Sequence, residues 1–391
     1  MASDRLRIIT TPSDLAALVA ELRATGWFAF DTEFVGEDRY QPEVCLIQVS
    51  TDDFDALIDP LAPLDPSSIW ELVADPAIEK LVHAGSEDLS LCQLQIGKPA
   101  ANVVDLQIAA GIAGIGFPIN LARLCRVTTG ERLHKSQTLT DWRRRPLTQE
   151  QITYAAEDVR HLPGARRHLH TLLTKLNRWH WLTEECNDLC IETAKQKSEP
   201  TQLSRLKGAG SLRGRELTIA EALLVERNAL AQQLDRPARV VLKDHLLIEL
   251  ARRGWTDIER IRSLRGISVS AAALKRLATA IEAAKKLPAK PDNELEIEGD
   301  SNEEEMLLSL LTAVLRDYCN RETLSYSILA TKDDLRKVVR PYTRGDAKGQ
   351  SPLEKGWRQG AVGSLLVDLI EGRRRLAVQR SGTAFGLSMI E

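Results

Sequence analysis

Residues 27–34 read WFAFDTEF, an apolar segment with two acidic side chains. Its aromatic residues predict a β-strand. Because successive side chains of a strand point to opposite faces, Asp31 and Glu33 lie on the same face. An Asp-x-Glu pair alone is more often a solvated strand edge. A buried carboxylate without a partner is costly, however, so a bound cation is the alternative within this apolar segment.

The surrounding sequence mixes strands and helices. Further strands are predicted over 44–50, 54–59 and 79–84. Two helix starts carry capping residues, Thr11 before Pro12 and the capping box of Thr148 with Gln151. The first of these helices ends near Thr25. This pattern indicates an α/β domain.

Two more acidic clusters follow the first. In LVHAGSEDL, residues 81–89, Asp88 falls in the first turn of a helix, where it either stabilises the helix start or serves as a ligand. In TYAAEDVRHL, residues 153–162, Tyr154 and Asp158 are four residues apart and share one helix face. Taken singly, each is more often a structural or surface feature.

Together the three clusters predict four carboxylates and a phenol at one end of a sheet. Four acids without matching bases repel one another, and a set of oxygen ligands selects hard divalent cations such as Mg²⁺ or Mn²⁺. Two such ions clamp the attacking and leaving oxygens of a phosphodiester displacement. The pattern therefore predicts a site for two divalent metal ions.

Composition limits the remaining possibilities. The chain has 391 residues, of which 43% are hydrophobic and 27% charged, which is typical of a soluble protein of two or three domains. Six cysteines without a Cys-x-x-Cys pair indicate a reducing compartment. The longest weakly polar stretch is too short to span a membrane, and the N-terminal residues lack the apolar core of a signal peptide. We expect a cytoplasmic protein without a membrane partner.

Charge and pattern divide the chain into four parts. Residues 1–204 carry a net charge of −9, residues 205–290 +9, residues 291–305 −8 and residues 306–391 +5. The acidic segment predicts a solvated, flexible linker. From about residue 212 onward the strand signals vanish and helical stripes replace them. An acidic domain with two basic helical modules suits an enzyme that holds cations and attracts a polyanion.

The acidic motifs resemble those of a known enzyme superfamily. FDTEF at 30–34, HAGSEDL at 83–89 and YAAEDV at 154–159 resemble the three exonuclease motifs of the DEDD superfamily, in its tyrosine subclass. Residues 133–159 resemble the ribonuclease D family in particular. Residues 210–290 resemble the HRDC module, and residues 306–391 its second copy in ribonuclease D.

The resemblance implies a fold and a set of residue roles. The fold is a ribonuclease H-like α/β exonuclease domain, a mixed sheet flanked by helices, followed by two small all-α HRDC-like bundles. Four carboxylates hold the two metal ions and are catalytic together with the phenol, which orients the attacking water: Asp31, Glu33, Asp88, Asp158 and Tyr154. Four residues contact the substrate: Phe34 and His83 at the terminal nucleotide, Lys135 and Gln137 at a phosphate. For these four, packing in the core or a solvated loop is the alternative.

The implied activity is removal of nucleotides from RNA 3′ ends, with release of 5′-monophosphates. The implied substrates are structured RNAs with short 3′ tails, chiefly precursor tRNA, and no obligate protein partner is expected. Two alternatives stay open at this point. One is a DNA 3′→5′ exonuclease, and the other is an RNA-binding protein whose nuclease domain is inactive.

Overall fold

The computed structural model describes residues 5–133, 140–198, 203, 206–291, 299–381 and 384–390. Among these residues, a six-stranded sheet and eight helices make up the first domain. Its strands are β1 Leu6–Ile9, β2 Trp27–Val35, β3 Glu43–Ser50, β4 Asp55–Ile58, β5 Glu79–Val82 and β6 Val103–Asp105. Its helices are α1 Pro12–Thr25, α2 Ser67–Ala74, α3 Ser86–Ile96, α4 Leu106–Ile112, α5 Leu121–Thr128, α6 Gln149–Arg160, α7 Leu162–Lys175 and α8 Trp179–Ser198.

The sheet is mixed, as predicted, and β2 lies inside it. The strand order is β1-β4-β3-β2-β5-β6. Strand β3 runs antiparallel to β2 and β4, whereas β2, β5 and β6 are parallel. The acidic segment predicted to be a strand is therefore an interior strand of the sheet, paired with β3 on one side and β5 on the other.

The predicted helix starts are confirmed by their capping contacts. Thr11 accepts a hydrogen bond from the Asp14 amide at 3.2 Å, and Pro12 begins α1. Thr148 and Gln151 form a reciprocal capping box at the start of α6. Such caps satisfy amides that have no partner inside the helix, which is why they mark helix starts in the sequence.

A second module of helices packs around its own core. Its helices are α9 Gly214–Leu234, α10 Ala238–Val241, α11 Asp244–Arg253, α12 Ile258–Arg262 and α13 Ala271–Lys286. The buried residues of this module form a hydrophobic cluster that contains none of the first domain's described core residues. Residues 206–290 are thus a self-contained helical bundle.

The C-terminal segment, in contrast, shares a core with the first domain. Its elements are α14 Asn302–Glu322, α15 Tyr326–Leu329, α16 Lys332–Thr343, α17 Gly356–Arg358, a π-helical turn Gln359–Gly363, α18 Ser364–Ile370, and strands β7 Arg375–Ser381 and β8 Ala384–Ile390. One hydrophobic cluster joins Leu81 and Leu169 of the first domain to Leu311 and Val339 of this segment. The rings of Trp181 and Trp357 stack with centroids 4.4 Å apart across the contact. The two regions therefore form one folded body.

Two local expectations for the C-terminal part are wrong. Strands Arg375–Ser381 and Ala384–Ile390 pair antiparallel, although no strand was predicted there. The end of the acidic segment is solvated only in part: Glu303 and Glu305 are exposed, but the side chain of Asp300 is 4% exposed and pairs with Arg336 at 2.7 Å and Lys332 at 3.0 Å. Ser301 caps α14, and Glu304 pairs with Arg344. Basic residues from later in the chain neutralise these acidic side chains, which by composition alone would be expected to repel one another. Residues 292–298 lie outside the described residues.

None of the described helices combines the length and apolar character required to cross a membrane. All six cysteines are buried and free of disulfides.

Candidate active site

Strand β2 and helix α6 bring three carboxylates together. Asp31 and Glu33 share a face of β2, as alternation predicts. Asp158 comes from α6, which approaches the sheet closely because Ala155 and Ala156 are 0% and 1% exposed. One ligand oxygen from each of the three carboxylates lies within 4.8 Å of the others. This is a separation that a single divalent cation can bridge.

Asp88 stands beside this set, in the first turn of α3. Its side chain is 8% exposed and accepts a hydrogen bond from the hydroxyl of Thr32, the residue between Asp31 and Glu33. The turn before α3 requires glycine at position 85, because a Cβ there would lie 2.7 Å from the side chain of Val82. The buried Asp105 accepts from the amides of Ala84 and Gly85 at 3.2 and 3.1 Å and holds this turn.

The four carboxylates are electrostatically strained without a cation. Burial, followed by the charges of the other three, raises the pKa of Asp31 well above its usual range. Burial and the charges of Asp158 and Asp88 raise the pKa of Glu33 to about 8. Burial raises the pKa of Asp88 to about 6 and that of Asp158 to about 7. Within the described residues, no Arg or Lys forms an ion pair with any of the four.

Tyr154 lies one turn before Asp158 on the same face of α6. Its hydroxyl hydrogen-bonds Asp158, and its ring lies 6.1 Å from that of Trp142. Burial and the charges of Asp158 and Glu33 raise the pKa of this phenol above its usual range. The hydroxyl therefore stays protonated near neutral pH, so it can orient a water molecule but cannot remove its proton.

Sequence reasoning missed Gln48, a residue of β3 beside the carboxylates. Gln48 is the register partner of Asp31 and is fully buried. Neither side-chain amide atom has a hydrogen-bond partner among the described residues. A buried amide without partners is rare and destabilising. Because register partners share a face of the sheet, Gln48 lies on the same face as Asp31. The sequence does not indicate that its amide lacks a hydrogen-bond partner.

The all-oxygen donor set and the orphaned amide fit a hydrated divalent cation. Carboxylates are the ligands that Mg²⁺ and Mn²⁺ prefer, and a cation removes their mutual repulsion. Water molecules bound to such an ion are hydrogen-bond donors and acceptors within a buried site. The residues present therefore match the divalent metal that the motifs predict.

The four predicted substrate contacts have different outcomes. Phe34 is partly exposed and packs against the apolar core below the sheet. His83 is partly buried; burial lowers its pKa, and the buried Nδ1 atom of its ring has no hydrogen-bond partner among the described residues. Contact of either residue with a nucleotide stays a prediction. Lys135 and Gln137 lie outside the described residues.

The basic turn at 143–145 is largely committed to protein contacts. Arg143 donates to Asp38 at 2.7 Å and to Glu43 at 2.8 Å. Arg145 binds Asp59 through two hydrogen bonds of 2.6 and 2.8 Å. By sequence alone, this run of three arginines fits either contact with an RNA backbone or a solvated turn. The observed pairs show that two of its three arginines instead fasten the loop before α6 to the sheet.

Family models match two parts of the chain. A model described as 3′-5′ exonuclease matches residues 6–174. A model described as HRDC domain matches residues 216–275. The four carboxylates and Tyr154 all fall within the first match.

Relatives of known name match nearly the whole chain. A protein named Ribonuclease D from Granulibacter bethesdensis is 33% identical over 95% of this chain and 94% of its own length. Another of the same name, from Gluconacetobacter diazotrophicus, is 31% identical over 95% and 94%.

Solved structures give similar results. Escherichia coli RNase D, described as an exoribonuclease involved in structured RNA processing, superposes with a TM-score of 0.81 and 26% identity over 93% of this chain and 98% of its own. The catalytic core of RRP6 from Trypanosoma brucei gives a TM-score of 0.54 with 25% identity over 72% and 80%.

Proposed function

The chain belongs to the ribonuclease D family, and on that premise we propose that it is a metal-dependent 3′→5′ exoribonuclease acting on structured RNAs, chiefly precursor tRNA. The main observation behind this proposal is that carboxylate oxygens of Asp31, Glu33 and Asp158 lie within 4.8 Å of one another, with Asp88 beside them. The similarity to an exoribonuclease over nearly its full length supports the choice of RNA over DNA.

We assign the metal-holding role to the four carboxylates. Asp31, Glu33 and Asp158 would hold one Mg²⁺ or Mn²⁺, and Asp88 together with Asp31 would serve a second. A divalent cation at this position supplies acidification of water and neutralisation of phosphate charge. The raised pKa values of Asp158 and Glu33 support this assignment, because they measure how strongly the folded site disfavours its own negative charge.

Tyr154 would position the nucleophile. Its protonated hydroxyl lies near Asp158, one turn away on the same helix, at the edge of the carboxylate set. In hydrolysis the water oxygen forms a new bond to phosphorus, the bond from phosphorus to the 3′ oxygen breaks, and that oxygen takes a proton. The products are a 5′-nucleoside monophosphate and an RNA shortened by one nucleotide. Phe34 and His83 would contact the terminal nucleotide, and Lys135 and Gln137 a phosphate.

The proposal is tested by digesting a 3′-extended tRNA with the full chain and Mg²⁺ or Mn²⁺. We expect stepwise shortening from the 3′ end and release of 5′-monophosphates, both abolished by EDTA and restored by excess metal. A matched DNA oligonucleotide should be degraded much more slowly than the RNA of the same sequence. Preference for DNA, release of 3′-monophosphates or activity in EDTA would each contradict the proposal.

A further inference from the structure

Three arginines on or just after α5 line a single open cavity. The cavity has a volume of about 570 Å³ and is lined by Ala122, Arg123, Arg126, Arg132 and Leu133. Arg123, Arg126 and Arg132 are exposed. Its described lining contains no carboxylate and no aromatic ring. A positive, non-aromatic surface of this kind attracts anions without reading bases.

These arginines differ from most basic residues of their domain. Among the described residues up to 198, twelve Lys or Arg side chains pair with a carboxylate: Arg5, Arg7, Arg23, Arg39, Lys98, Arg143, Arg145, Arg160, Arg166, Arg167, Arg178 and Lys195. Arg123, Arg126 and Arg132 form no ion pair within the described part of the chain. In a domain of net charge −9, unpaired cations gathered in one cavity stand out from the pattern.

The cavity lies near α6, the helix that carries Asp158. Arg123 and Arg126 are three residues apart on α5 and so are neighbours on its outer face. Just after α5, Thr129 and Glu131 line a second cavity together with Arg160 and His161, which follow Asp158 by two and three residues. The surface that carries the three arginines therefore adjoins the helix that carries Asp158.

We propose that Arg123, Arg126 and Arg132 bind the phosphodiester backbone of the RNA strand whose 3′ end occupies the carboxylate site. This inference rests on the proposed function. Guanidinium groups bind phosphate oxygens through paired hydrogen bonds, and several spaced charges suit a polymer. A free phosphate ion fits less well, because an exposed ion pair contributes little by itself. The three arginines would thus reduce, near the cavity, the electrostatic repulsion between the acidic first domain and the RNA.

The test compares the triple variant Arg123→Gln/Arg126→Gln/Arg132→Gln with Lys175→Gln. Lys175 is an exposed base of the same domain, on α7, that likewise has no ion pair among the described residues. Cleavage is measured on RNAs of about four and about twenty nucleotides, spanning the usual range of single-strand sites. We expect the triple variant to raise KM for the long RNA roughly tenfold with kcat unchanged, and to leave the short RNA unaffected. Lys175→Gln should match the wild type.

Binding of the long RNA in EDTA, followed by fluorescence anisotropy across a salt series, tests the arginines without catalysis. Three lost phosphate contacts should reduce the slope of log affinity against log salt by about two. The variant with lysine at all three positions should recover most of that slope. An unchanged slope and KM would overturn the inference, as would an equal loss on short and long RNA. A wild type that binds through these arginines but cleaves no RNA would refute only the proposed function.

Discussion

Replacing Asp158 with asparagine should stabilise the metal-free protein while abolishing its activity. The asparagine side chain would keep the size of the aspartate and an oxygen that accepts from Tyr154, but would remove one of four clustered charges. Loss of the charge relieves repulsion in the empty site. The same loss removes a ligand on which turnover depends. Stability and activity therefore change in opposite directions.

The magnitude follows from the pKa of Asp158. Burial raises it from 3.8 to about 7, opposed by the hydrogen bond from Tyr154. Each unit by which the folded and unfolded pKa values differ corresponds to about 1.4 kcal/mol, so ionised Asp158 destabilises the metal-free fold by at most about 4 kcal/mol. Partial solvent access and relaxation reduce this to about 1–4 kcal/mol, or a rise in Tm of about 1–5 °C for Asp158→Asn in a chain of this length.

The sign of the pH dependence is fixed by the direction of this shift. Because the folded pKa is raised, the folded wild type binds more protons than the unfolded chain between about pH 4 and about pH 7. The contribution of Asp158 to stability therefore falls as pH rises through that window and levels off above it. The advantage of Asp158→Asn should be small near pH 4 and greatest near pH 8.

The assay is thermal unfolding of both proteins in EDTA from pH 4 to pH 8, repeated with Mn²⁺. Mn²⁺ should raise the Tm of the wild type by binding to the folded state, and the variant should respond much less. The control is Glu150→Gln, which removes an exposed carboxylate from the same helix. RNA cleavage should be lost in Asp158→Asn alone, with RNA binding nearly intact. A variant no more stable than wild type at pH 8, or one that retains turnover, would refute the reasoning.

Three further predictions concern residues around the site and the core. Gln48→Leu should leave the free energy of unfolding in EDTA unchanged or raise it by about 1–3 kcal/mol, since it removes a buried amide without partners. If the amide serves the metal site, the affinity for Mn²⁺ measured by calorimetry should fall. Unchanged affinity and kcat would exclude that role. Thr32→Val keeps the shape of the side chain and should lower kcat about tenfold with little change in Tm, because one hydrogen bond to Asp88 is lost. Single-turnover cleavage measures the change in rate. An unaltered rate would show that Asp88 does not depend on the Thr32 hydroxyl. A chain truncated after residue 290 should unfold or aggregate, because the removed segment completes the core around Leu169; a soluble truncated protein with the wild-type Tm would contradict the shared core.

Much of the site was predictable because its parts obey local rules. The alternation of β2 places Asp31 and Glu33 together, and four-residue spacing does the same for Tyr154 and Asp158. The capping box of Thr148 sets where α6 begins. Each of these features depends on backbone geometry within a few residues. The family motifs then joined the separate segments into one site.

The features that were missed all depend on contacts between distant parts of the chain. Arg336 neutralises Asp300 from 36 residues away, so an acidic run expected to be solvated ends in a buried ion pair. Strands β7 and β8 pack Leu376 and Met389 against the shared core, although their sequence carries no strong strand pattern. Composition and periodicity describe what a segment prefers alone, and packing overrides such preferences.

The amino-acid sequence by itself determined the chemistry available to this protein: four carboxylates and a phenol on three elements, arranged by strand and helix periodicity that act over a few residues. Only the tertiary structure decided that α6 packs against β2, β3 and β4, that Gln48 is buried without a partner among the described residues, and that three arginines line one cavity. The physical reason is that burial and electrostatic neutralisation depend on which surfaces meet, and those surfaces come from residues far apart in the chain.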